Sequence, residues 1–202
     1  MFFIENKNVN TIADMSFIDK VMNSFFASVT PRTAGFNSIP TDGMTTAGQF
    51  LTIILMFIGG SPGSTAGGIK TTTIGILIVT IVCVIKGRED AEVFKRRFSK
   101  ELVYRAFTLI FIGLSLVIVV TMLLSYTEKG ASFMALFYEA VSAFGTAGLT
   151  LGLTSELSNI GKVLIIFLMY LGRVGPLTVV LSITRKRINS GIKYPEGKIL
   201  IG

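Results

Sequence analysis

The stretch FMALFYEAVSAFGTAGLT, Phe133–Thr150, decides how this chain is read. Its first twelve residues, Phe133 to Phe144, form an apolar, helix-like run. That is short of the roughly 20 residues a helix needs to cross a hydrocarbon core and suits a re-entrant or buried helix. A small-residue turn follows at Thr146, Ala147, Gly148, Leu149 and Thr150, and beyond a spacer comes a long apolar tract. The same order of parts occurs earlier, in Phe17 to Thr30 and then Thr33, Ala34, Gly35, Phe36 and Asn37. A shift of 113 residues superposes the two turns and pairs Phe25 with Tyr138 and Ala27 with Ala140. Thr-Ala-Gly alone carries nothing, since it recurs at Thr46 and at Thr65. The repeated unit is the short helix, the glycine-bearing turn and the long helix, and repetition of this kind is common in transport proteins.

Outward from these units the chain is apolar. Ala106 to Leu124 holds 19 residues without a charge. Ile160 to Thr184 carries only Lys162 and Arg173. Thr45 to Ile85 is too long for one span and is interrupted by GGSPGSTAGGIKTTT, Gly59–Thr73. Half of the 202 residues are hydrophobic, 15% are charged, and mean hydropathy is +0.68. Soluble domains carry about 25% charged residues, so a water-soluble globule is excluded, and so is disorder, which needs a polar, charge-rich chain. The single cysteine, Cys83, excludes a disulfide framework and a cysteine zinc cluster. With no histidine, Ser-His and Cys-His catalysis lack a base. The chain reads as an integral membrane protein and not as an enzyme.

Twelve of the 19 basic residues lie in two segments. One holds Lys86, Arg88, Lys95, Arg96, Arg97, Lys100 and Arg105; the other holds Arg185, Lys186, Arg187, Lys193 and Lys198. By the positive-inside rule both face the cytoplasm. The net charge of +7 is then topology and not a nucleic-acid footprint. Met1 to Asp19, polar and amphipathic, reads as an external loop without the features of a signal peptide. A membrane chain seldom starts in such a loop, so the expectation is that it is the back part of something longer.

These parts suit an ion. Irregular backbone at membrane depth must be buried in protein or line a wet cavity. A short helix dipping inward aims its partly negative C-terminal end at the axis. The turn after it can offer carbonyl oxygens to a dehydrated cation. Gly35 and Gly148 permit backbone angles that a side chain forbids, and Pro31 disfavours helix at the residue before it. The alternative is ordinary: glycine turns also join membrane helices simply because small residues pack closely. Five glycines and Pro62 between Gly59 and Gly68 make continuous helix unfavourable, by about 1 kcal/mol per glycine and about 3 for the proline. The helix should open into a loop there.

Four motifs carry a resemblance: TPRTAGFNSI (Thr30–Ile39), FIGGSPGSTAGGIKTTT (Phe57–Thr73), AFGTAGLTLGLT (Ala143–Thr154) and YLGRVGPLT (Tyr170–Thr178). Together, in this order, they resemble the Trk/Ktr/HKT superfamily of potassium transporters. The match is to the KtrB/TrkH type of membrane subunit, and the tail KYPEGKILIG, Lys193–Gly202, favours the KtrB/NtpJ branch. The resemblance implies an all-α integral membrane fold of helix–pore-loop–helix repeats, potassium-channel-like, with one broken transmembrane helix.

In that family four such units surround one pore, so this chain resembles an incomplete set. Residues 1–86 correspond to the third repeat without its first helix, with a pore helix at about 17–30, a filter turn at 33–37 and a broken helix over 45–85. Residues 87–101 are a cytoplasmic linker, exposed and amphipathic. Residues 102–187 are the fourth repeat, with helices at 102–126, 132–144 and 160–187 and a filter turn at 146–150. Residues 188–202 are a cytoplasmic tail.

The resemblance implies potassium uptake, with K⁺ as the transported ion and no cofactor. It makes Thr33, Ala34, Gly35, Phe36, Asn37, Thr146, Ala147, Gly148, Leu149 and Thr150 the filter. The backbone carbonyls of Thr33, Ala34, Thr146 and Ala147 become the K⁺ ligands. It makes the loop Gly59, Gly60, Ser61, Pro62, Gly63, Ser64, Thr65, Ala66, Gly67 and Gly68 an intramembrane gate. Arg173, costly at mid-span, is expected to bind loop carbonyls and repel cations; pairing with Glu139 is the structural alternative. Lys70 fits a gating role and a snorkelling one alike. The expected partners are the lipid bilayer, a second copy of the membrane subunit and a cytosolic nucleotide-binding regulatory ring. The expected place is a bacterial cell membrane, spanned several times, with the C-terminus in the cytoplasm. Coupling to Na⁺, to H⁺ or to neither stays open.

Three rivals have particular weaknesses. GSTAGGIKT, Gly63–Thr71, nearly fits the phosphate-loop pattern, but Ile69 separates Gly68 from Lys70 and no βαβ setting flanks it. A secondary transporter of an anion or organic solute would point helix N-termini at its substrate. A purely structural membrane subunit has no need of two filter-like turns and a glycine-rich break.

Overall fold

The uncharged run centred on Val117 folds as one helix. The structure is a computed structural model that describes residues 1–88 and 90–175. In it, α5 spans Lys100–Thr127, 28 residues long, and is the one described helix long and apolar enough by itself to cross a membrane. At 1.5 Å per residue it extends about 42 Å, more than the hydrocarbon core of about 30 Å. Its N-cap is Ser99, whose hydroxyl accepts from the Leu102 N–H. It buries Ala106, Gly113, Val117, Val120, Thr121 and Leu124 on one stripe.

Ahead of it run α1 (Phe2–Glu5), α2 (Phe17–Val29), α3 (Thr46–Phe57) and α4 (Thr71–Ile85). Behind it run α6 (Phe133–Gly145), a 3₁₀ turn at Leu153–Ser155, and α7 (Asn159–Val174). Ser16, Thr45, Ser132 and Ser158 cap α2, α3, α6 and α7, each hydroxyl accepting from the backbone N–H three residues on. Such caps satisfy one of the orphan N–H groups at a helix start. Helix α4 begins at Lys70 with no side-chain cap; instead the Thr71 N–H reaches the Gly60 carbonyl at 3.2 Å. The loop preceding α4 therefore supplies what a serine supplies elsewhere.

The core is built around α6, in which Leu136 to Gly145 is buried apart from Phe137. Tyr138, Ala140 and Phe144 are fully enclosed, with α3, α5 and α7 around them. In lipid the gain comes from close packing more than from expelling water, so small residues sit where backbones meet. A side chain at Gly172 would strike the Phe144 backbone, and one at Gly145 would strike that of Met56. Phe57 and Phe144 stack with ring centroids 5.5 Å apart. Helix α2 is different: among the described residues its Phe17, Met22 and Phe25 are large apolar side chains left exposed.

Two expectations need correction. The linker over 87–101 is not merely an exposed strip. It carries a small antiparallel hairpin, β1 (Glu92–Val93) against β2 (Arg96–Arg97), turned by Phe94 and Lys95 at φ 48° and 62°. Both turn residues take the sign that a two-residue hairpin turn demands. Cys83 anchors the hairpin on α4: its sulfur accepts from the Glu92 N–H at 3.4 Å and donates to the Glu92 carbonyl at 3.5 Å. Arg97 pairs with Asp90 at 3.0 Å. The N-terminal segment is also more than a loop, because Glu5 and Ile12 are buried in it, Ile12 packing with Ala27, Ile39 and Met44. The expected helix over 160–187 is described through Val174; its remainder and the tail over 188–202 lie outside the described residues.

Candidate functional site

The turn after α2 is shaped by one threonine. Thr30 closes the helix, and its carbonyl accepts from the Ala34 N–H at 3.1 Å and the Gly35 N–H at 3.4 Å. Its hydroxyl donates to the Phe36 carbonyl at 2.6 Å. Thr33 has φ 70° and Gly35 φ 74°, with Ala34 between them at negative φ. After α6 the chain ends its helix in a Schellman motif, the Thr146 N–H bonding to the Ala143 carbonyl at 3.1 Å and the Ala147 N–H to that of Ser142 at 2.9 Å. Thr146 has φ 50° and Gly148 φ 81°. The shift of 113 residues thus superposes backbone conformation as well as letters.

Left-handed geometry is a true outlier for a β-branched residue. Thr33 and Thr146 both adopt it, and each such residue costs about 1–3 kcal/mol and persists only where its surroundings impose it.

The two turns touch. A Cβ built on Gly35 would lie 2.9 Å from the Ala147 carbonyl oxygen, and one on Gly148 would lie 3.6 Å from the Gly35 Cα. Helices α2 and α6 therefore bring their C-terminal ends, each with partial negative charge, to one place. Among the described residues none donates a hydrogen bond to the carbonyls of Thr33, Ala34, Gly35, Thr146, Ala147 or Gly148. The Phe36 and Thr150 carbonyls are occupied, the latter by the Thr41 hydroxyl at 2.6 Å. Ala147 and Leu149 are buried, whereas Phe36 is exposed. The turn after α6 is thus backed by core, and the polar groups it leaves without donors among the described residues belong to the backbone.

Behind that turn lies a cavity of about 210 Å³ that Glu139 and Gly148 both line. The Glu139 carboxylate accepts from the Thr150 hydroxyl at 2.8 Å and the Thr154 hydroxyl at 2.5 Å. It braces the end of the turn and does not meet Arg173.

The helix interruption runs from Ile58 to Lys70, between α3 and α4. Ile58 and Ile69 form a single parallel bridge across it, with the Ile69 N–H on the Phe57 carbonyl at 3.1 Å. Gly67 lies directly against Thr146: its N–H donates to the Thr146 hydroxyl at 3.0 Å. Arg173 donates to the Thr65 carbonyl, and Lys70 donates to the carbonyls of Ser64 and Ala66. A cavity of about 140 Å³ separates this loop from the end of α7. The phosphate-loop reading fails on the same geometry, because the Lys70 ammonium is engaged by its own loop and a helix, not a strand, precedes that loop.

Sequence reasoning missed Thr30, Thr41 and two carboxylates. Glu5, buried, accepts from the Thr45 N–H at 3.1 Å and from the Thr45 and Thr11 hydroxyls and the Asn8 amide. Glu128 accepts from the Ser158 N–H at 3.0 Å and the Ser158 hydroxyl at 2.5 Å. Each carboxylate seats the N-cap of the helix that follows a turn, α3 and α7. Thr45 and Gly48 stand 113 residues before Ser158 and Gly161, a regularity that was there to be seen. Burial pushes the Glu5 carboxyl up, but the hydrogen bonds from Thr45, Asn8 and Thr11 outweigh it and hold it below the ordinary range. The Ser158 hydroxyl and N–H hold Glu128 low as well.

Known proteins resemble this chain in sequence and in fold. The chain is 48% identical over 207 residues to the potassium/sodium uptake protein NtpJ of Enterococcus hirae, covering all of this chain and 46% of that protein. It is 38% identical over 202 residues to the Ktr system potassium uptake protein B of Bacillus subtilis, covering all of this chain and 45% of that protein. The chain spans less than half the length of these relatives. The crystal structure of the potassium transporter TrkH from Vibrio parahaemolyticus superposes with a TM-score of 0.75 at 21% identity, over 90% of this chain and 40% of that one, which shows a shared fold. The profile of the TrkH family, described as cation transport protein, matches residues 1–191. The chain belongs to the TrkH family of cation transport proteins and is an all-α membrane protein.

Proposed function

We propose that this chain supplies two of the filter turns of a potassium uptake pore. The observation that carries this reading is the contact of the turns at Gly35 and Gly148, with six backbone carbonyls around it that receive no donor among the described residues. Carbonyl oxygens replace the water around a dehydrated monovalent cation. Convergent helix C-termini favour a cation over an anion, which sets aside a transporter built to hold an anionic solute. Potassium as the ion rests on the relatives, a potassium/sodium uptake protein and a potassium uptake protein.

Gly59 to Gly68 and Lys70 form the gate in this reading, and Arg173 holds it from α7 through the Thr65 carbonyl. The uncovered face of α2 is where the further units of the ring pack. The assembly lies in the cell membrane with the 87–101 segment in the cytoplasm, paired with a second copy and governed by a nucleotide-binding ring.

Rubidium uptake tests the reading. In cells stripped of their own potassium uptake, the chain in its native membrane assembly should restore growth at low K⁺. Rubidium influx should saturate and should resist competition by organic solutes. Growth that stays dependent on high K⁺, with the protein present in the membrane, would remove the proposal.

A further inference from the structure

Thr146 faces two ways. It is the first residue of the second turn, and its hydroxyl is also the acceptor for the Gly67 N–H, 79 residues away, at 3.0 Å. A Cβ on Gly67 would fall 2.7 Å from the Thr146 Oγ1 and 2.8 Å from its Cγ2. Glycine is needed at 67 for this approach, because the loop backbone lies flush on the threonine side chain. Gly68 beside it has φ 69° and would set a Cβ 3.0 Å from the Phe57 carbonyl oxygen. The loop thus meets the turn through backbone alone at this point.

The related threonine does something else. Thr33 has the same left-handed backbone, but its hydroxyl makes only a 3.5 Å contact with the Gly145 carbonyl. Gly145 immediately precedes Thr146, so both threonine side chains gather at the end of α6. One of them holds the loop, and the other reaches toward the helix that carries it. The arrangement is asymmetric where the two turns are otherwise alike.

We infer that the Thr146 hydroxyl is the latch joining the loop to the filter, so that one side chain positions the gate and shapes the ion path. This rests on the pore-and-gate reading above. When the loop is seated, Oγ1 accepts from Gly67. When the loop withdraws, that oxygen loses its donor beside the free Thr146 and Ala147 carbonyls, where a cation can take the donor's place. Leaving a polar oxygen unpaired is costly, so withdrawal is favoured when an ion stands there. Ion occupancy and loop position are then linked: each favours the other by the same factor, as binding linkage requires.

The test uses the chain in its native membrane assembly with Ser64→Cys as a reporter on the exposed part of the loop; the native Cys83 is buried. Labelling by a membrane-impermeant methanethiosulfonate reagent and rubidium flux are measured together. Thr146→Val removes the acceptor while keeping the shape. It should speed labelling about three- to tenfold, as the loss of one hydrogen bond of ordinary net strength predicts. Gly67→Ala, which wedges the same contact apart, should do the same, and the double variant should add little to either. Thr146→Ser, which keeps the hydroxyl, should label at the original rate. Raising K⁺ should speed labelling with threonine at 146 and not with valine.

Unchanged labelling in Thr146→Val and Gly67→Ala would overturn the latch, whatever happens to flux. A loss of K⁺ over Na⁺ preference with unchanged labelling would also overturn it, while leaving the pore reading intact. Should Thr146→Val fail to reach the membrane, Gly67→Ala decides alone, because its added methyl meets the threonine side chain first, at 2.7 and 2.8 Å, ahead of the Gly145 carbonyl oxygen at 3.1 Å.

Discussion

Gly35 and Gly148 lie back to back at the point where two short helices end, and Gly35 is the tighter of the pair. Its missing Cβ would sit 2.9 Å from the Ala147 carbonyl oxygen, whereas that of Gly148 would find its nearest neighbour 3.6 Å away, at the Gly35 Cα. Both residues have positive φ, so any side chain is strained at either site.

Substitution at the two glycines should therefore weaken selectivity unequally. Gly35→Ser is expected to abolish the preference of uptake for K⁺ over Na⁺, because the new side chain displaces a carbonyl. Gly148→Ser should reduce it less, through backbone strain alone. Rubidium influx measured against rising Na⁺ in both variants checks the order. Wild-type preference in both would remove the filter assignment.

Arg173, which the sequence put at mid-span, stands in the last described turn of α7 and donates from there to the Thr65 carbonyl of the loop. Arg173→Ala should raise rubidium flux severalfold. Arg173→Lys should raise it less, since lysine keeps the charge and loses the planar fork of donors. Isotope efflux from loaded vesicles at matched protein level measures both. Flux at or below the unsubstituted level in Arg173→Ala would count against a gate in this loop.

The paired carboxylates give the stability of the fold an acid limb. Glu5 and Glu128 are held below the ordinary carboxylate range, so their unfolded forms bind protons more readily than their folded ones. The stabilisation they contribute is complete above about pH 4.5 and is lost as pH falls through their lowered values. Melting in detergent followed by circular dichroism should show a steeper fall below pH 4.5 for the unsubstituted chain than for Glu5→Gln. Thr45→Ala and Ser158→Ala, each removing an N-cap, should cost about 1 kcal/mol at neutral pH. A fall of equal slope in Glu5→Gln would show that the carboxylate is not the acid-sensitive group.

Much of the chain could be read locally. The positions of α2 and α6, the turns after them and the break between α3 and α4 follow from hydrophobic run length, from Pro31 and from the crowd of glycines after Gly59. The serines and threonines that start the helices are ordinary caps. The hairpin at Glu92–Arg97 was hidden, because Phe94 and Lys95 turn it without the Asn-Gly or Gly-Gly that marks such turns. Thr30 looked like a helix end and proves to be the clamp on the Phe36 carbonyl.

By itself the sequence determined that this is a membrane protein, that two units in it repeat, and where a helix must open, since run length, charge and glycine content act between near neighbours. Only the tertiary structure decided that the two turns touch, that Glu5 and Glu128 seat helices 40 and 30 residues further on, and that Gly67 rests on Thr146. Each of those depends on which groups, far apart along the chain, meet when the helices pack, and run length, charge and glycine content do not record that.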